Sequence, residues 1–258
     1  MLALLIAAQF LPTPPDLEAK LKRVTQLGVA IYLLDQASAA GTDVLMEHVK
    51  PRDKEVAGYV TLRETDAKGQ PLPSWAVTFY SKGEPPYVRY RIHLSTLKGK
   101  KPVFEAVNPP QLVPELGLTL IHAREAALKA AGPFEQPINP VMLPAGPFGE
   151  PGEILVELLA GTEKTNTVVL GRHFRVIVAK DGRTVQSVTA LSKTPLELST
   201  LENGKKVKAL VATHVSTDYP LEIHVFASML SGLPLYVGTE HGIWLVDHDN
   251  IHLMPKEP

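Results

Sequence analysis

The chain has 258 residues, of which 45% are hydrophobic, enough for the core of one large domain or two small ones. Its 26 basic and 27 acidic residues nearly cancel, so no electrostatic argument favours nucleic acid or an anionic membrane as a partner. The absence of cysteine excludes disulfides, thiolate zinc sites and cysteine nucleophiles.

The N-terminus carries an indication of the cellular address. Residues 2–8 form an apolar run, and a proline-rich stretch follows at 12–15. This order is typical of the end of a secretory signal peptide, although the basic flank and the small cleavage-site residues are missing. We predict that residues 1–8 are the remnant of a signal peptide and that the protein is exported, to the periplasm. The alternative is a cytoplasmic protein with an apolar N-terminus. Since no other segment approaches ~18 continuous apolar residues, no transmembrane segment is expected after signal removal.

Residues 9–132 are predicted to form a helix followed by an antiparallel meander. Asp16 can cap a helix whose apolar residues recur at helical spacing; Gly28 allows a bend and Gly41 a stop. Segments 55–65, 74–81 and 87–95 are rich in β-branched and aromatic residues and are separated by turn sequences, which favours strands. A second helix is expected over 114–131, with Gly132 as its stop.

A change of composition marks the middle of the chain. Residues 133–152 contain prolines and glycines at short intervals. We predict a linker or a long ordered loop here, and the boundary between two domains.

Residues 153–258 are predicted to be a β-rich C-terminal domain. Strand-like segments alternate there with turn sequences such as KDGR, ENGK and DHDN. The expected fold class is therefore α+β, mainly antiparallel β-sheet with two main helices. Both halves would pair a helix with a meander.

The strongest candidate for a chemical site lies in the segment 207–228, interpreted as a hairpin. Pairing Val215 with Leu221 would place His214, Glu222 and His224 on one face, close enough for one divalent ion. Two imidazoles and a carboxylate leave a coordination position open for water, as catalytic zinc requires, and they also suit non-haem iron. The alternative interpretation is the solvated outer face of an amphipathic hairpin.

Two longer stretches carry a family resemblance. GRHFRVIVAKDGRTVQSVTALSK at 171–193 and HVFASMLSGLPLYVGTEHGIWLVDHDNI at 224–251 resemble a family of uncharacterised exported bacterial proteins. The resemblance implies an envelope address and no known activity. VAKDGRTVQSV at 178–188 is similar to the hairpin of PepSY-type domains, which implies binding or inhibition and not catalysis.

Two functions follow as expectations. The first is a periplasmic or envelope-associated binding or accessory module without a cofactor, whose partner is an unknown protein or small molecule and not nucleic acid. The second is a metal-dependent hydrolase that uses His214, Glu222 and His224 to hold zinc or another divalent metal. The chain lacks the GxSxG, phosphate-loop and dinucleotide-binding motifs, so the sequence leaves open whether it is an enzyme.

Overall fold

A computed structural model describes residues 15–144, 152–192 and 194–255. The predicted signal-peptide remnant, residues 1–8, lies outside this range. The helices are α1 Pro15–His48, α2 Glu115–Ala131 and α3 Glu222–Ser231. The strands are β1 Val56–Thr65, β2 Pro71–Ser81, β3 Tyr87–Ser95, β4 Val103–Leu112, β5 Ile138–Leu143, β6 Glu153–Ala160, β7 Thr167–Val169, β8 Phe174–Ala179, β9 Val185–Ala190, β10 Glu197–Ser199, β11 Leu201–Glu202, β12 Lys205–Lys206, β13 Leu210–Thr213, β14 Leu235–Thr239, β15 Gly242–Asp247 and β16 Asn250–Leu253.

The predicted class, α+β with mainly antiparallel sheet, is confirmed. Three four-stranded sheets have the orders β1-β2-β3-β4, β5-β6-β8-β9 and β13-β14-β15-β16, which we call sheets A, B and C. A helix precedes the meander in each case: α1 before sheet A, α2 before sheet B and α3 before β14–β16. The helix-plus-meander unit therefore occurs three times in the described residues, and the sequence patterns indicated two.

Before residue 150, two strands lie where the sequence analysis expected none. β4 contains Pro109 and Pro110, which a central strand would not tolerate, but β4 is at the edge of sheet A. β5 lies inside the predicted linker 133–152 and pairs with β6 along its whole length, from Ile138–Ala160 to Leu143–Leu155. Part of the predicted connection is thus a sheet strand, and residues 145–151 of it lie outside the described range.

Helix α1 is longer than predicted because its glycines are packing positions. A Cβ atom on Gly28 would lie 2.5 Å from Cβ of Val225 in α3, and one on Gly41 would lie 2.7 Å from Cγ2 of Val77 in β2. A side chain at either position would collide with a neighbouring element, so these glycines permit close packing and do not end the helix. The helix continues through both of them to His48. The predicted stop at Gly41 is wrong.

The core is continuous across the elements that α1 touches. The N-terminal half of α1, through Leu27 and Ile31, packs on Leu155 of sheet B and Phe226 of α3. Its C-terminal half packs on sheet A, where Leu45 meets the buried β2 and β3 residues. Helix α2 covers the other face of sheet B and part of sheet A. Among the described residues, none of the helices combines the length and the hydropathy that a membrane span requires.

Candidate functional site

The segment predicted as a hairpin, 207–228, is a strand followed by a helix. β13 pairs in parallel with β14, so the chain crosses over between them through α3. Val215 and Leu221 are therefore not strand partners, and the register that grouped the three candidate ligands is wrong. The strand-like alternation was misleading because α3 is buried on all sides in its first seven residues, Glu222 to Ser228, so no 3.6-residue pattern marks it.

Two of the predicted site residues still meet. His214 follows the end of β13 and His224 lies in the first turn of α3, and both side chains are buried. Their rings are 4.8 Å apart between centroids and nearly perpendicular, at 80°. The contact joins the crossover helix to the end of the strand that precedes it.

Hydrogen bonds fix the protons on both rings. The backbone N–H of Leu221 donates to His224 Nδ1 at 2.9 Å, so this nitrogen is an acceptor and the proton of the neutral ring is on Nε2. The hydroxyl of Thr217 donates to the Tyr219 carbonyl, so His214 Nε2 must donate to that hydroxyl oxygen, at 2.9 Å. His214 therefore keeps a lone pair on Nδ1, while His224 uses its lone pair on Nδ1 and carries its proton on Nε2.

Burial keeps these imidazoles neutral. It lowers the pKa of His214, and it lowers the pKa of His224 to about 3, with further contributions from the charges of His214 and His173. His173, a third buried histidine that the sequence analysis did not single out, accepts from the Ala160 N–H and lies 3.0 Å from the Val169 carbonyl, to which it donates. Burial lowers its pKa to about 4. These contacts give His173, which directly precedes β8, a structural role between β6 and β7.

The third predicted ligand, Glu222, is engaged elsewhere. Its carboxylate contacts Nη2 of Arg175 in β8, and Nε of the same guanidinium donates to Glu157 Oε1 at 2.9 Å. The β6–β8 register sets Glu157 directly opposite Arg175. One arginine thus joins a carboxylate of sheet B to a carboxylate at the start of α3. The signal in the sequence was Glu157 itself, an acid between apolar residues in the middle of strand β6.

The electrostatics of this cluster, Glu157–Arg175–Glu222, follow from its burial. Glu157 is 0% exposed and Glu222 is 1% exposed. Burial and the charge of Glu222 raise the pKa of Glu157 to about 8, against the effect of Arg175. Burial disfavours the charge of Arg175, but Glu222 and Glu157 outweigh it and raise its pKa. The cluster therefore places one guanidinium between two buried carboxyl groups, and burial together with the charge of Glu222 favours a proton on Glu157.

Within the described ranges, no group of three or more histidine, aspartate or glutamate side chains is arranged to hold a metal ion. For the three predicted ligands, existing hydrogen bonds and an ion pair explain why they do not form such a group. A metal on either nitrogen of His224 would have to displace the Leu221 N–H bond or the ring proton, and one on Glu222 would compete with Arg175.

A cavity lies at the C-terminal end of α1, between the last turns of this helix, the start of β1 and the side of α2. Its volume is about 400 Å³. Leu45, Val49, Val56 and Phe79 supply apolar walls, and the guanidinium of Arg124 in α2 lines it as well. The sequence analysis did not find this cavity, because its walls come from three separated segments.

The cavity carries one acid whose charge is already compensated. Asp53 accepts from Arg89 Nη2 at 2.7 Å and from the Tyr90 hydroxyl at 2.9 Å. These hydrogen bonds, led by that of Arg89, lower the pKa of Asp53. The aspartate is therefore ionised and fully engaged on the rim.

Arg124, a cation in the cavity wall, has no such carboxylate partner. Over the residues that the structure describes, Arg124 has no carboxylate within 4.0 Å, and it is half-buried beside the hydroxyl of Tyr80. Burial raises the pKa of Tyr80, and the charge of Arg124 works against that rise. Gly58 provides the room, since a Cβ there would lie 2.6 Å from the Tyr80 hydroxyl oxygen.

A polar chain holds the wall next to Arg124. The Tyr59 hydroxyl donates to Asn139 Oδ1 at 2.7 Å, and Asn139 Nδ2 donates to Asp35 Oδ1 at 2.6 Å. Tyr59, Asn139 and Asp35 belong to β1, β5 and α1, so this chain ties sheet A to sheet B beneath the cavity.

No family model matches the chain, and neither a curated protein nor a solved structure matches it.

Proposed function

We propose that the protein is an exported binding module for a small molecule with an apolar body and an anionic head group, held in the cavity between α1, β1 and α2. The single observation that supports this function is Arg124 in the wall of a largely apolar cavity of about 400 Å³, with no carboxylate within 4.0 Å of it among the described residues. Small-molecule sites are typically concave, mostly apolar spaces of about 300–1,000 Å³ with a few placed polar groups.

The charge of Arg124 supports an anion as the head group. A half-buried cation has lost part of its hydration, and a ligand anion would replace it with charge-assisted hydrogen bonds. Asp53 cannot act as the anion for Arg124, since Arg89 and Tyr90 already engage its carboxylate. Arg52 lies on the same rim and adds positive charge.

The apolar walls support a hydrocarbon body. Leu45 and Phe79 are core residues that reach the cavity from α1 and β2, and Val49 and Val56 continue the same surface. Covering this surface with an aliphatic group would gain roughly 25 cal/mol per Å² removed from water.

Binding is tested by calorimetric titration with decanoate, decyl phosphate and the uncharged decanol. Loss of the head-group contact in Arg124→Gln is expected to weaken both anions by about 10-fold to 100-fold, as a hydrogen bond to a charged group contributes ~1.5–3 kcal/mol. Decanol binding should change little. Lys129→Gln, on an exposed position of the same helix, is the matched control.

Two outcomes would remove the proposal. One is that neither anion binds to the wild type. The other is that Arg124→Gln and Lys129→Gln weaken the anions equally, which would mean that the net charge of the protein, and not the cavity, attracts them.

The exported address rests on the apolar run 2–8 and the prolines that follow it. Expression from the native gene together with its upstream region and a C-terminal tag, followed by fractionation and N-terminal sequencing, tests it. Periplasmic material that begins after residue 8 is expected, and cytoplasmic material that retains residues 1–8 would contradict export.

The alternative function is a metal-dependent hydrolase that uses His214, Glu222 and His224. The edge-on contact of the two rings, with a lone pair on His214 Nδ1, is the observation in its favour. Metal content by mass spectrometry, compared with that of a His214→Ala/His224→Ala variant, tests it. Stoichiometric zinc, iron or manganese that disappears in the folded variant would favour the hydrolase, and no metal in either protein after zinc addition would eliminate it.

A further inference from the structure

We infer that a second cavity, at the N-terminal end of α1, binds a small oxyanion with Arg175 as its anchor. This site is independent of the cavity lined by Arg124. The second cavity has a volume of about 250 Å³ and lies between α1, β8 and the start of α3. Its walls include Lys20, Arg23, Arg175, Tyr219 and Glu222.

Arg175 is held rigidly enough to act as a receptor. Its Nε donates to Glu157 and its Nη2 contacts Glu222, and both carboxylates are buried. Two of the three guanidinium nitrogens are thus fixed from behind by groups on two different elements. An arginine held in this way loses little conformational entropy when it binds a ligand.

The third guanidinium nitrogen is not engaged by the carboxylates. Nη1 of Arg175 has no hydrogen-bond partner among the described residues, and the side chain is 27% exposed although its two carboxylate partners are not. Since the side chain lines the cavity, the N–H groups of Nη1 are available to an acceptor there. A ligand could bind without displacing either carboxylate.

The charge around the cavity favours an anion. Lys20 and Arg23 are three residues apart on α1, so both side chains project from one face toward the opening. Against these cations and Arg175, the lining contains one carboxylate, that of Glu222, whose charge Arg175 already balances. Lys20 adds positive charge that no carboxylate of the lining offsets, and Arg175 engages both acids of the cluster.

The ligand class follows from volume and chemistry. A space of about 250 Å³ with three converging cationic side chains suits a compact oxyanion, such as inorganic phosphate, sulfate or a short dicarboxylate. Phosphate and carboxylate share the acceptor geometry that a guanidinium recognises, so the experiment must separate them.

The test is a titration of the ¹⁵N-labelled full chain with phosphate, sulfate and succinate at constant ionic strength, followed by backbone and arginine side-chain N–H signals. Saturable shifts of the Arg175 Nε–H signal and of α1 signals are expected. Lys20→Gln and Arg23→Gln should each weaken binding up to about fivefold, as expected for exposed charge pairs. Lys22→Gln, exposed on the same helix but outside the cavity, should leave affinity unchanged.

The ranking of the three anions identifies the source chemistry: tighter phosphate and sulfate binding indicates a tetrahedral oxyanion, and tighter succinate binding a carboxylate. Absence of saturable shifts with all three anions up to about 10 mM would overturn the inference. Equal weakening by Lys22→Gln would also overturn it. Arg124→Gln should not affect this titration, so failure here is separate from failure of the proposed function.

Discussion

Replacing Arg175 by methionine is expected to destabilise the protein by about 3–5 kcal/mol. The change leaves Glu222, 1% exposed, as a buried carboxylate without a counter-charge, and breaking a buried ion pair from one side carries a cost of this size. The aliphatic part of the side chain is retained in methionine, so the loss reports mainly on charge.

The two acids of the cluster are expected to differ. The pKa of Glu157 is raised to about 8 in the folded protein, whereas the unfolded chain ionises this carboxyl above about pH 4.5. Glu157→Gln should therefore change the free energy of unfolding by less than about 1 kcal/mol at pH 4.5 and should stabilise the protein at pH 7. Glu222→Gln removes the carboxyl group that contacts Nη2 of Arg175 and should cost about 1.5–3 kcal/mol.

Replacing the whole cluster separates the charge from the packing. In Glu157→Leu/Arg175→Met/Glu222→Leu no buried charge remains, and exchange of a buried ion pair for apolar residues is often neutral or stabilising by ~1–4 kcal/mol. Urea unfolding at pH 7, followed by circular dichroism, gives the free energies. The reasoning fails if Arg175→Met costs less than about 1 kcal/mol, or if the triple variant is as unstable as Arg175→Met alone.

Three further predictions concern groups buried in or against α3 and sheet B. The raised pKa of Glu157 makes the stability of the folded protein fall between pH 4.5 and about 8, by up to ~1.4 kcal/mol per pH unit, so Glu157→Gln should flatten the loss of stability above pH 6.5. The lowered pKa of His224 makes stability fall as the pH drops from 6.5 to about 3, so His224→Gln should flatten the loss of stability on the acid side. Urea unfolding at a series of pH values measures both effects. Gly28→Ala should destabilise by ~1–3 kcal/mol through its collision with Val225, despite a helix propensity gain of ~1 kcal/mol, and Val225→Ala should relieve it in a double-mutant cycle. Ser228→Ala should cost ~1–3 kcal/mol in thermal or urea unfolding, because its buried hydroxyl donates to the Leu233 carbonyl and accepts the His248 N–H.

Each of these has a result that would contradict it. Stability curves of Glu157→Gln and the wild type that run parallel between pH 6.5 and 8 would show that Glu157 titrates normally. A Gly28→Ala protein more stable than the wild type would mean that α1 and α3 are not in close contact at that point. For Ser228, a change within ~0.5 kcal/mol would mean that its two bonds are replaced by others.

The sequence predicts the parts of the fold whose patterns are one-sided. β1 to β3 and α2 each have one buried face and end at turn sequences or at Gly132, so their type and nearly their bounds follow from periodicity. Elements without a one-sided pattern were misassigned or missed. α3 is buried all round, and β4 contains two prolines that only an edge strand tolerates.

The candidate site could be predicted only in part, and for a related reason. His214 and His224 do meet, but through a crossover helix that local alternation cannot distinguish from a strand. The partner of Glu222 is Arg175, 47 positions earlier in the chain, and no local pattern connects them. Glu157 in an apolar strand indicates that a buried partner exists, but its identity requires the register of β6 and β8.

The length of α1 accounts for the position of both cavities. At ~1.5 Å per residue its 34 residues span roughly 50 Å, whereas the 10 residues of β1 span roughly 33 Å, so α1 extends beyond its own sheet. The extension is covered by α3 and sheet B, and the cavities lie near the two ends, beside Lys20 and beside Leu45. These positions are 25 residues apart on one helix, roughly 38 Å, well beyond the ~7–10 Å within which substitutions couple. Arg124→Gln and Lys20→Gln should therefore act additively, and each should weaken only the ligand of its own cavity.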